Sequence, residues 1–509
     1  MKHFFMVAIS SALLVTVTKA QLPDDALRNA WFIPGGTARN MAIGGAMGSL
    51  GGDITANNIN PAGIGLYKTK EVVLSPGFLL NNNKFSYLGD DNKGSKSAIG
   101  YGATGIIIGS PPSRSNWTSS AFSVSVNQLA SYNNHTYYKG VNNYSSYSEQ
   151  YLEELTRDGA SPIAAEQNYI FGSSLAYRTY LIDSLNAGGQ FVGYKSLVPI
   201  GTGVIQERDE TTKGGYNEVS FAFAGNQQDK LYIGASINIP IVGYTRDLWY
   251  KETDVTTNPD NNFEYSRFNE HFTSNGIGIN LKLGLIYKPT TKVRLGFALH
   301  TPSYIGFTDR IRADMVTNTE NYAGTVTSSS DELNSGKPGE SNYSLLTPWR
   351  AIGSMSFVLN EVADTRKQRG FVTADIEYVN YRSSRFSTSN SDDITGKDYY
   401  TSLNEIVKEY YKGAVNFRVG GELKFDPVSV RIGGSYYGSP YSDKELKASR
   451  IMAAAGLGYR NHGFFIDLTY AHTINKDVSF PYRLNDKANT FATWNNNRGN
   501  VLLTVGFKI

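Results

Sequence analysis

Residues 276–287 read GIGINLKLGLIY. Ile277, Ile279, Leu281, Leu283, Leu285 and Tyr287 fall on one phase of a period-two pattern, and Gly276, Gly278, Asn280, Lys282 and Gly284 on the other. Successive side chains of a strand point to opposite faces, so this stretch is a strand with one apolar and one polar face. The alternation returns at 292–300, where Val293, Leu295, Phe297 and Leu299 alternate with Arg294, Gly296, Ala298 and His300. It returns again at 415–425, with Val415, Phe417, Val419, Leu423 and Phe425 against Asn416, Arg418, Glu422 and Lys424, and in the closing series Val501, Leu503, Val505, Phe507 and Ile509. In a soluble sandwich the apolar face would point inward; in a membrane barrel it points to lipid and the polar face lines the lumen.

Spacing separates the two architectures. About fourteen strand candidates lie near 71–80, 98–108, 119–128, 217–224, 230–239, 276–287, 292–299, 350–359, 370–380, 415–425, 428–437, 451–459, 463–471 and 500–509. Tight connections such as Gly225–Asp229, Lys288–Thr291, Asp426-Pro427 and Asn461-His462 alternate with long polar stretches near 129–216, 240–275, 300–349, 381–414, 438–450 and 472–499. Short turns on one side and long loops on the other are the mark of an outer-membrane barrel. A Lys or Arg on the lipid face near the midplane costs roughly 2–4 kcal/mol, and Lys282, Arg294, Arg418 and Lys424 all lie in the polar phase. The predicted fold class is therefore all-β: a transmembrane antiparallel barrel of about fourteen strands, closed by its last strand so that no edge is left in lipid. The polar phase makes Arg294, Arg418, Glu422 and Arg431 candidate lumen-wall residues.

The start of the chain agrees. Lys2 and His3 precede an apolar run from Phe4 to Val17, and Thr18-Lys19-Ala20 supplies a small-residue cleavage site, so residues 1–20 read as a signal peptide cut before Gln21. The chain of 509 residues has no cysteine, which excludes disulfides, thiolate metal sites and cysteine nucleophiles. A formal net charge of +3 gives no basic excess for nucleic acid.

Motifs for phosphate, metal and acyl transfer fail. Gly100-Tyr101-Gly102-Ala103-Thr104-Gly105 has the dinucleotide spacing, but Ile106-Ile107-Ile108-Gly109-Ser110-Pro111-Pro112 follows it and cannot open a helix. His135, His271, His300, His462 and His472 include no pair at helical ligand spacing, and no G-x-S-x-G elbow is present. The expectation is no enzyme, no cofactor and no metal. His135 and His271 are placed in long loops. The 34 tyrosines suit girdles at the membrane boundary, while the Tyr-rich segment 132–151 is a candidate exposed contact surface. Residues 149–182 read as helix in an outer loop, either packed on neighbouring loops or forming a greasy capture surface.

Between Gln21 and the first strand lie about fifty residues too short to fold alone. Pro23–Arg28 reads as a short helix with proline and acids in its first turn. Thr37–Met47 allows a second, and the glycine-rich run GGAMGSLGGDITANNINPAGIG spans 44–65. A barrel of about fourteen strands leaves an aqueous lumen unless something fills it, so 21–69 is read as a hatch inside the barrel formed by 70–509. Trp31, Phe32, Met41, Met47 and Leu50 are its apolar pocket candidates, the plain alternative being packing within the hatch.

Here the sequence resembles FadL-type outer-membrane channels. The resemblance is carried by Gly36-Thr37-Ala38-Arg39-Asn40-Met41-Ala42-Ile43-Gly44-Gly45-Ala46, Gly52-Asp53 and Asn60-Pro61-Ala62-Gly63. It continues in Tyr287-Lys288-Pro289, Leu295-Gly296-Phe297, Pro348-Trp349-Arg350, Phe417–Glu422, Arg431–Tyr436, Ser449-Arg450, Gly456–Tyr459 and Asp467–Ala471. It implies a barrel of about fourteen strands with a hatch of short helices containing Asn60, Pro61 and Gly63. It also implies passive uptake of long-chain fatty acids or, as in TodX-like relatives, aromatic hydrocarbons. Such compounds are caught at the outer loops, held in a pocket beside the hatch and released sideways at a kinked early strand, placed here at 119–132. The implied location is the outer membrane of a Gram-negative bacterium with both termini periplasmic. The implied partners are hydrophobic small molecules, outer-membrane lipid and lipopolysaccharide, and other outer-membrane proteins. Two alternatives stand beside this: a FadL-fold interaction protein of a secretion system, and a hydrophilic porin.

Overall fold

The computed structural model describes residues 23–110, 116–256, 258–359, 369–390, 392–444, 446 and 448–509; the signal peptide expected at 1–20 lies outside them. The described chain forms a closed antiparallel barrel of 14 strands. They are β1 (Lys70–Leu74 and Pro76–Tyr87), β2 (Asp90–Tyr101 and Thr104–Ser110), β3 (Trp117–Ser131 and Asn134–Asn142), β4 (Val204–Gln227), β5 (Leu231–Asp254), β6 (Tyr265–Tyr287) and β7 (Val293–His300 and Tyr304–Asn318). The second half is β8 (Gly339–Leu346 and Arg350–Leu359), β9 (Gly370–Asn380 and Arg385–Thr388), β10 (Gly413–Phe425), β11 (Val428–Tyr437), β12 (Ser449–Asn461), β13 (Phe464–Ser479) and β14 (Ala492–Lys508). β14 pairs with β13 and also with both pieces of β1, from Glu71↔Lys508 up to Ser86↔Thr493, and this closes the ring.

The faces follow the sequence phase. Ile277, Ile279, Leu281, Leu283, Leu285 and Tyr287 are all exposed on the outside, whereas Lys282, Arg294 and Arg418 are buried inside. A water-soluble sandwich would reverse this arrangement. Among the described residues no helix is long and apolar enough to cross a membrane.

The upper barrel departs from the expectation. Much of what reads as polar loop at 129–216, 240–275 and 300–349 is strand continuing past the apolar belt, as in β4, β5, β6 and β7. His135 and His271 accordingly stand on β3 and β6, not in loops, and each faces a carboxylate: Asp209 at 3.2 Å and Asp247 at 2.6 Å. The first outer connection is also short, because β1 and β2 form a hairpin turned at Leu88 and Gly89.

Tyrosine is the second departure. Tyr87, Tyr138, Tyr232, Tyr250, Tyr343, Tyr381, Tyr411 and Tyr437 are among the largest fully buried side chains, so the tyrosines fill the barrel interior and mouth more than they girdle it. The segment 132–151 is exposed only in part: Val141 and Tyr144 are exposed, whereas Tyr138 and Tyr151 are buried. The region 149–182 does hold helices, Ser148–Arg157, Pro162–Gln167 and Ser173–Arg178. Their Tyr151, Leu155 and Leu175 pack with Phe263, Phe268 and Met315 from the strand ends. The apolar side of these helices is thus used in loop packing, which leaves little of it as a capture surface.

Candidate functional site

The site is built by the N-terminal segment pressed on the inner wall. α1 (Pro23–Arg28) carries Asp24 and Asp25 in its first turn, where they offset the helix dipole. α2 (Ala38–Ala42) is capped by Thr37, whose side chain accepts from the Asn40 amide at 3.1 Å and donates to Asp53 at 2.7 Å. α3 (Ala56–Ile59) is followed by a tight helical turn, Pro61–Leu66, for which Asn60 is the cap. Asn60 accepts from the Ala62 amide at 3.2 Å and donates to the Gly48 carbonyl at 2.5 Å. Gly52 donates to the Gly63 carbonyl at 3.1 Å, so the Asn-Pro-Ala-Gly stretch clips the glycine run back on itself.

Glycine meets glycine where this segment touches the wall. A Cβ on Gly296 of β7 would lie 2.2 Å from the Gly48 carbonyl oxygen, and one on Gly433 of β11 would lie 2.2 Å from the carbonyl carbon of Ile43. Gly44 adopts φ +71°, which an L side chain resists, and its own Cβ would lie 2.5 Å from the Gly434 oxygen. Around these contacts wall side chains satisfy the segment's backbone. Asp375 accepts from the amides of Met47 and Gly48 at 3.1 Å each, and Thr504 accepts from the Ala38 amide at 2.8 Å. Asn57 donates to Ser123 and Ser125, and Asn58 donates to Glu218, each at 2.8 Å.

The four wall residues read from the polar phase all point inward. Arg294 donates to the Leu50 carbonyl at 2.9 Å. Glu422 accepts from Arg39 at 3.3 Å and from Arg431 at 2.5 Å, and Arg431 also reaches Asp467 at 2.6 Å. Arg418 pairs with Glu377, which Arg350 meets from the other side at 3.3 Å. Buried charges are costly unless paired, and Arg418, Glu422 and Arg431 each lie against a charge of opposite sign.

Above the segment lies a cavity of about 400 Å³. Trp31, Phe32 and Met41 line it, as do Leu79, Met452 and Leu502 from the wall. Met47 and Leu50 do not: they pack with Ile43, Ile59, Ile352 and Phe371 on the far side of the segment. The turn at Gly44 and Gly45 reverses the chain after α2, so residues on either side of it face opposite directions. The cavity also holds residues that sequence reasoning did not select, above all Arg450 on β12 and Arg498 on β14. Arg450 stacks over the Trp31 ring at 4.0 Å, and Arg498 donates to the Ser131 carbonyl at 3.4 Å. Among the described residues the Nε of each, and the Trp31 indole Nε1, are buried without a hydrogen-bond partner. The signal for Arg498 was its phase, opposite to Val501 and Leu503, but β14 begins before the expected residue 500.

One flank of the cavity is a split in the wall. β2 and β3 pair from Ser110↔Ser120 to Thr104↔Val126. Above that, the upper piece of β2 stays with β1, while β3 stays with β4 through an irregularity between Gln128 and Ala130. β2 is itself interrupted at 102–103 and β3 at 132–133. The N-terminal segment fills the gap: Gly35 donates to the Leu129 carbonyl at 3.3 Å, and Asn127 donates to the Gly35 carbonyl at 2.9 Å. A Cβ on Gly102 would lie 1.9 Å from the Gly36 oxygen, so the glycines of the false nucleotide motif make room for this crossing.

His300 donates its Nε2–H to the Ile59 carbonyl at 2.8 Å, so the neutral ring carries its proton on Nε2. Among the described residues no cluster of three or more His, Asp or Glu is placed to hold a metal.

No protein-family model and no curated protein matches the sequence. Solved structures do match. A FadL homologue of Pseudomonas aeruginosa is 13% identical and superposes with a TM-score of 0.52 over 93% of this chain and 99% of its own. The toluene transporter TodX of Pseudomonas putida is 13% identical, TM-score 0.52, over 94% and 99%. The toluene transporter TbuX of Ralstonia pickettii is 14% identical, TM-score 0.50, over 94% and 99%. With the closed ring of strands, the inward segment and the split between β2 and β3, these superpositions establish that the chain has the fold of the FadL- and TodX-type channels.

Proposed function

We propose that the protein is a passive outer-membrane channel for hydrophobic compounds, with residues 21–69 as its hatch and the termini on the periplasmic side. The observation that carries this reading is the amphipathic cavity beside the split between β2 and β3, which the Gly35–Gly36 backbone crosses. A greasy molecule gains nothing from a water-filled pore, and a sideways exit lets it enter lipid without crossing water. The hydrocarbon transporters that share the fold support the same reading. A filled lumen speaks against a hydrophilic porin.

The arginines bear on the substrate. A neutral hydrocarbon has no use for the two guanidinium Nε–H groups and the indole N–H that are left without acceptors, since buried donors cost free energy until they are met. A carboxylate would meet them while its tail lay against Met41, Leu79, Met452 and Leu502. We therefore favour long-chain fatty acids over aromatic hydrocarbons. Equilibrium dialysis of the detergent-purified protein with oleate and with toluene tests both levels. The expected result is oleate binding that Arg498→Gln weakens roughly tenfold, in line with a lost charge-assisted hydrogen bond, with toluene bound weakly by both proteins. Tight toluene binding untouched by the substitution would replace fatty acid by hydrocarbon, and binding of neither would remove the channel reading.

One observation favours a second reading, contact with another protein. The outer hairpin formed by Ile182–Ala187 and Gln190–Ser196 exposes Leu185, Phe191 and Val192. Co-purification of a secretion component that is lost on replacing Phe191 and Val192 by Ser would favour that role over uptake.

A further inference from the structure

The outer face of the β1–β2 hairpin carries a row of lysines that the channel reading does not use. Lys84 on β1 is directly opposite Lys93 on β2, and both are exposed. On the other side Lys84 is opposite Asn495 of β14, and Asn495 is opposite Lys476 of β13. Lys93, Lys84, Asn495 and Lys476 therefore stand side by side on four neighbouring strands, all exposed. Their neighbours in sequence fix the direction. Asn83 donates to the His135 carbonyl at 2.6 Å and Phe85 packs on Tyr138, so Lys84 between them points out. Gly94 backs on His135, and Asn475 bonds Asn496 inside, which turns Lys93 and Lys476 outward as well.

The height of the row is set by the same register. Phe78 and Ile99, an exposed apolar pair, lie six residues below Lys84 and Lys93 on the same face, which is about 20 Å along the strands. Exposed Ile474 lies two residues below Lys476, about 7 Å along its strand. Asn82, Ser95, Ser97 and Asn497 occupy the band between, together with exposed Leu80 opposite Ser97. The lysines thus stand above the apolar belt, Lys476 about 7 Å over Ile474 and Lys84 about 13 Å over exposed Leu80, with hydrogen-bonding side chains beneath them. Like charges directly opposite in a ladder repel, and beside lipid they are screened less than in open water.

We propose that this face binds a phosphate-bearing glycolipid of the outer leaflet, with its phosphates on Lys84, Lys93 and Lys476 and its sugars on the Asn and Ser band. The proposal rests on the outer-membrane placement above. Such a lipid is an oligoanion on an apolar body, and both halves have a counterpart here in the right vertical order. An acidic protein would use the lysines but not the belt below them.

The test is binding of diphosphoryl lipid A and of its dephosphorylated form to the detergent-solubilised full chain. The expected result is binding that requires the phosphates, weakens as salt is raised, and falls at least tenfold when Lys84, Lys93 and Lys476 are all replaced by Gln. Replacement of the same three by Arg should retain it, and Lys213→Gln with Lys337→Gln, on other strands and loops, should leave it unchanged. Heat-shifted migration on a gel reports that each variant is a folded barrel. If the Gln variant does not fold, the phosphate and salt dependence of the parent protein and the Arg variant decide. Equal binding of the two lipid forms, undiminished binding to the folded Gln variant, or a co-purified acidic protein in place of lipid would overturn the proposal. Oleate binding in the cavity is read separately, so either idea can fail alone.

Discussion

Two stretches of the N-terminal segment, 31–41 and 43–63, both mix apolar residues with glycine in sequence yet do opposite things. The first faces open space, and Trp31, Phe32 and Met41 border the cavity. The second faces the wall, where Met47 and Leu50 are packed on all sides and backbone lies on backbone at Gly44, Gly48 and Gly433. Hydrophobicity alone does not tell a ligand surface from a packing surface; the difference is whether the neighbouring atoms are already there. Substitutions in the two stretches should therefore separate stability from ligand affinity.

The largest effect is expected at the glycine contact. Gly433→Leu sets a side chain against the Ile43 and Gly44 backbone, which cannot swing aside; overpacking of this kind costs about 1–3 kcal/mol or more. The segment should leave its seat while the barrel stays closed. Steady ion conductance in a planar bilayer would report this, and conductance no higher than the parent's would break the comparison. Next comes Met47→Ala, which should cost about 2–5 kcal/mol in thermal or denaturant unfolding, as for a fully packed core methionine, with oleate affinity unaltered. Asn60→Ala removes the cap of the Pro61–Leu66 turn and the bond to Gly48, a loss of about 1–3 kcal/mol, visible as faster proteolysis within 43–69. Smallest is Met41→Ala. Met41 already borders empty volume, so stability should fall less than for Met47, while oleate binding weakens roughly tenfold through lost apolar contact. A Met41→Ala protein that loses stability but keeps its affinity would place Met41 with the packing residues.

How much of this was legible follows from where lipid is. Lipid marks one face of a strand as apolar over the roughly 9–11 residues that cross it, and there the period-two reading found every strand, with Lys282 and Arg418 turned inward as expected. Above the belt both faces can be polar. The pattern fades, and the upper parts of β4, β5 and β6 read as loop although they are paired strand. The tyrosines misled for a related reason: a phenol is at home at a membrane boundary and equally in a wet interior where its hydroxyl finds a partner. Tyr87 bonds Gln206, and Tyr216 lies against Phe32. Within the site, the capping role of Asn60 rests on local chemistry and could be read from the sequence. Arg450 and Arg498 could not be joined to Trp31, because the three share one cavity only when early and late parts of the chain come together.

That meeting also bears on how the molecule is made. The Ala38 amide is held by Thr504 of the final strand, and its carbonyl by Thr469 of the strand before it, at 2.6 Å. An early part of the chain is thus fastened by its last two strands. With Gly44 and Gly48 locked backbone to backbone inside the ring, a finished cylinder offers no slack through which the segment could be threaded afterwards. Assembly has to be wrapped, with the early residues lying in the open curve of the sheet when β14 swings onto β1, so that sealing the cylinder and stoppering it are a single event.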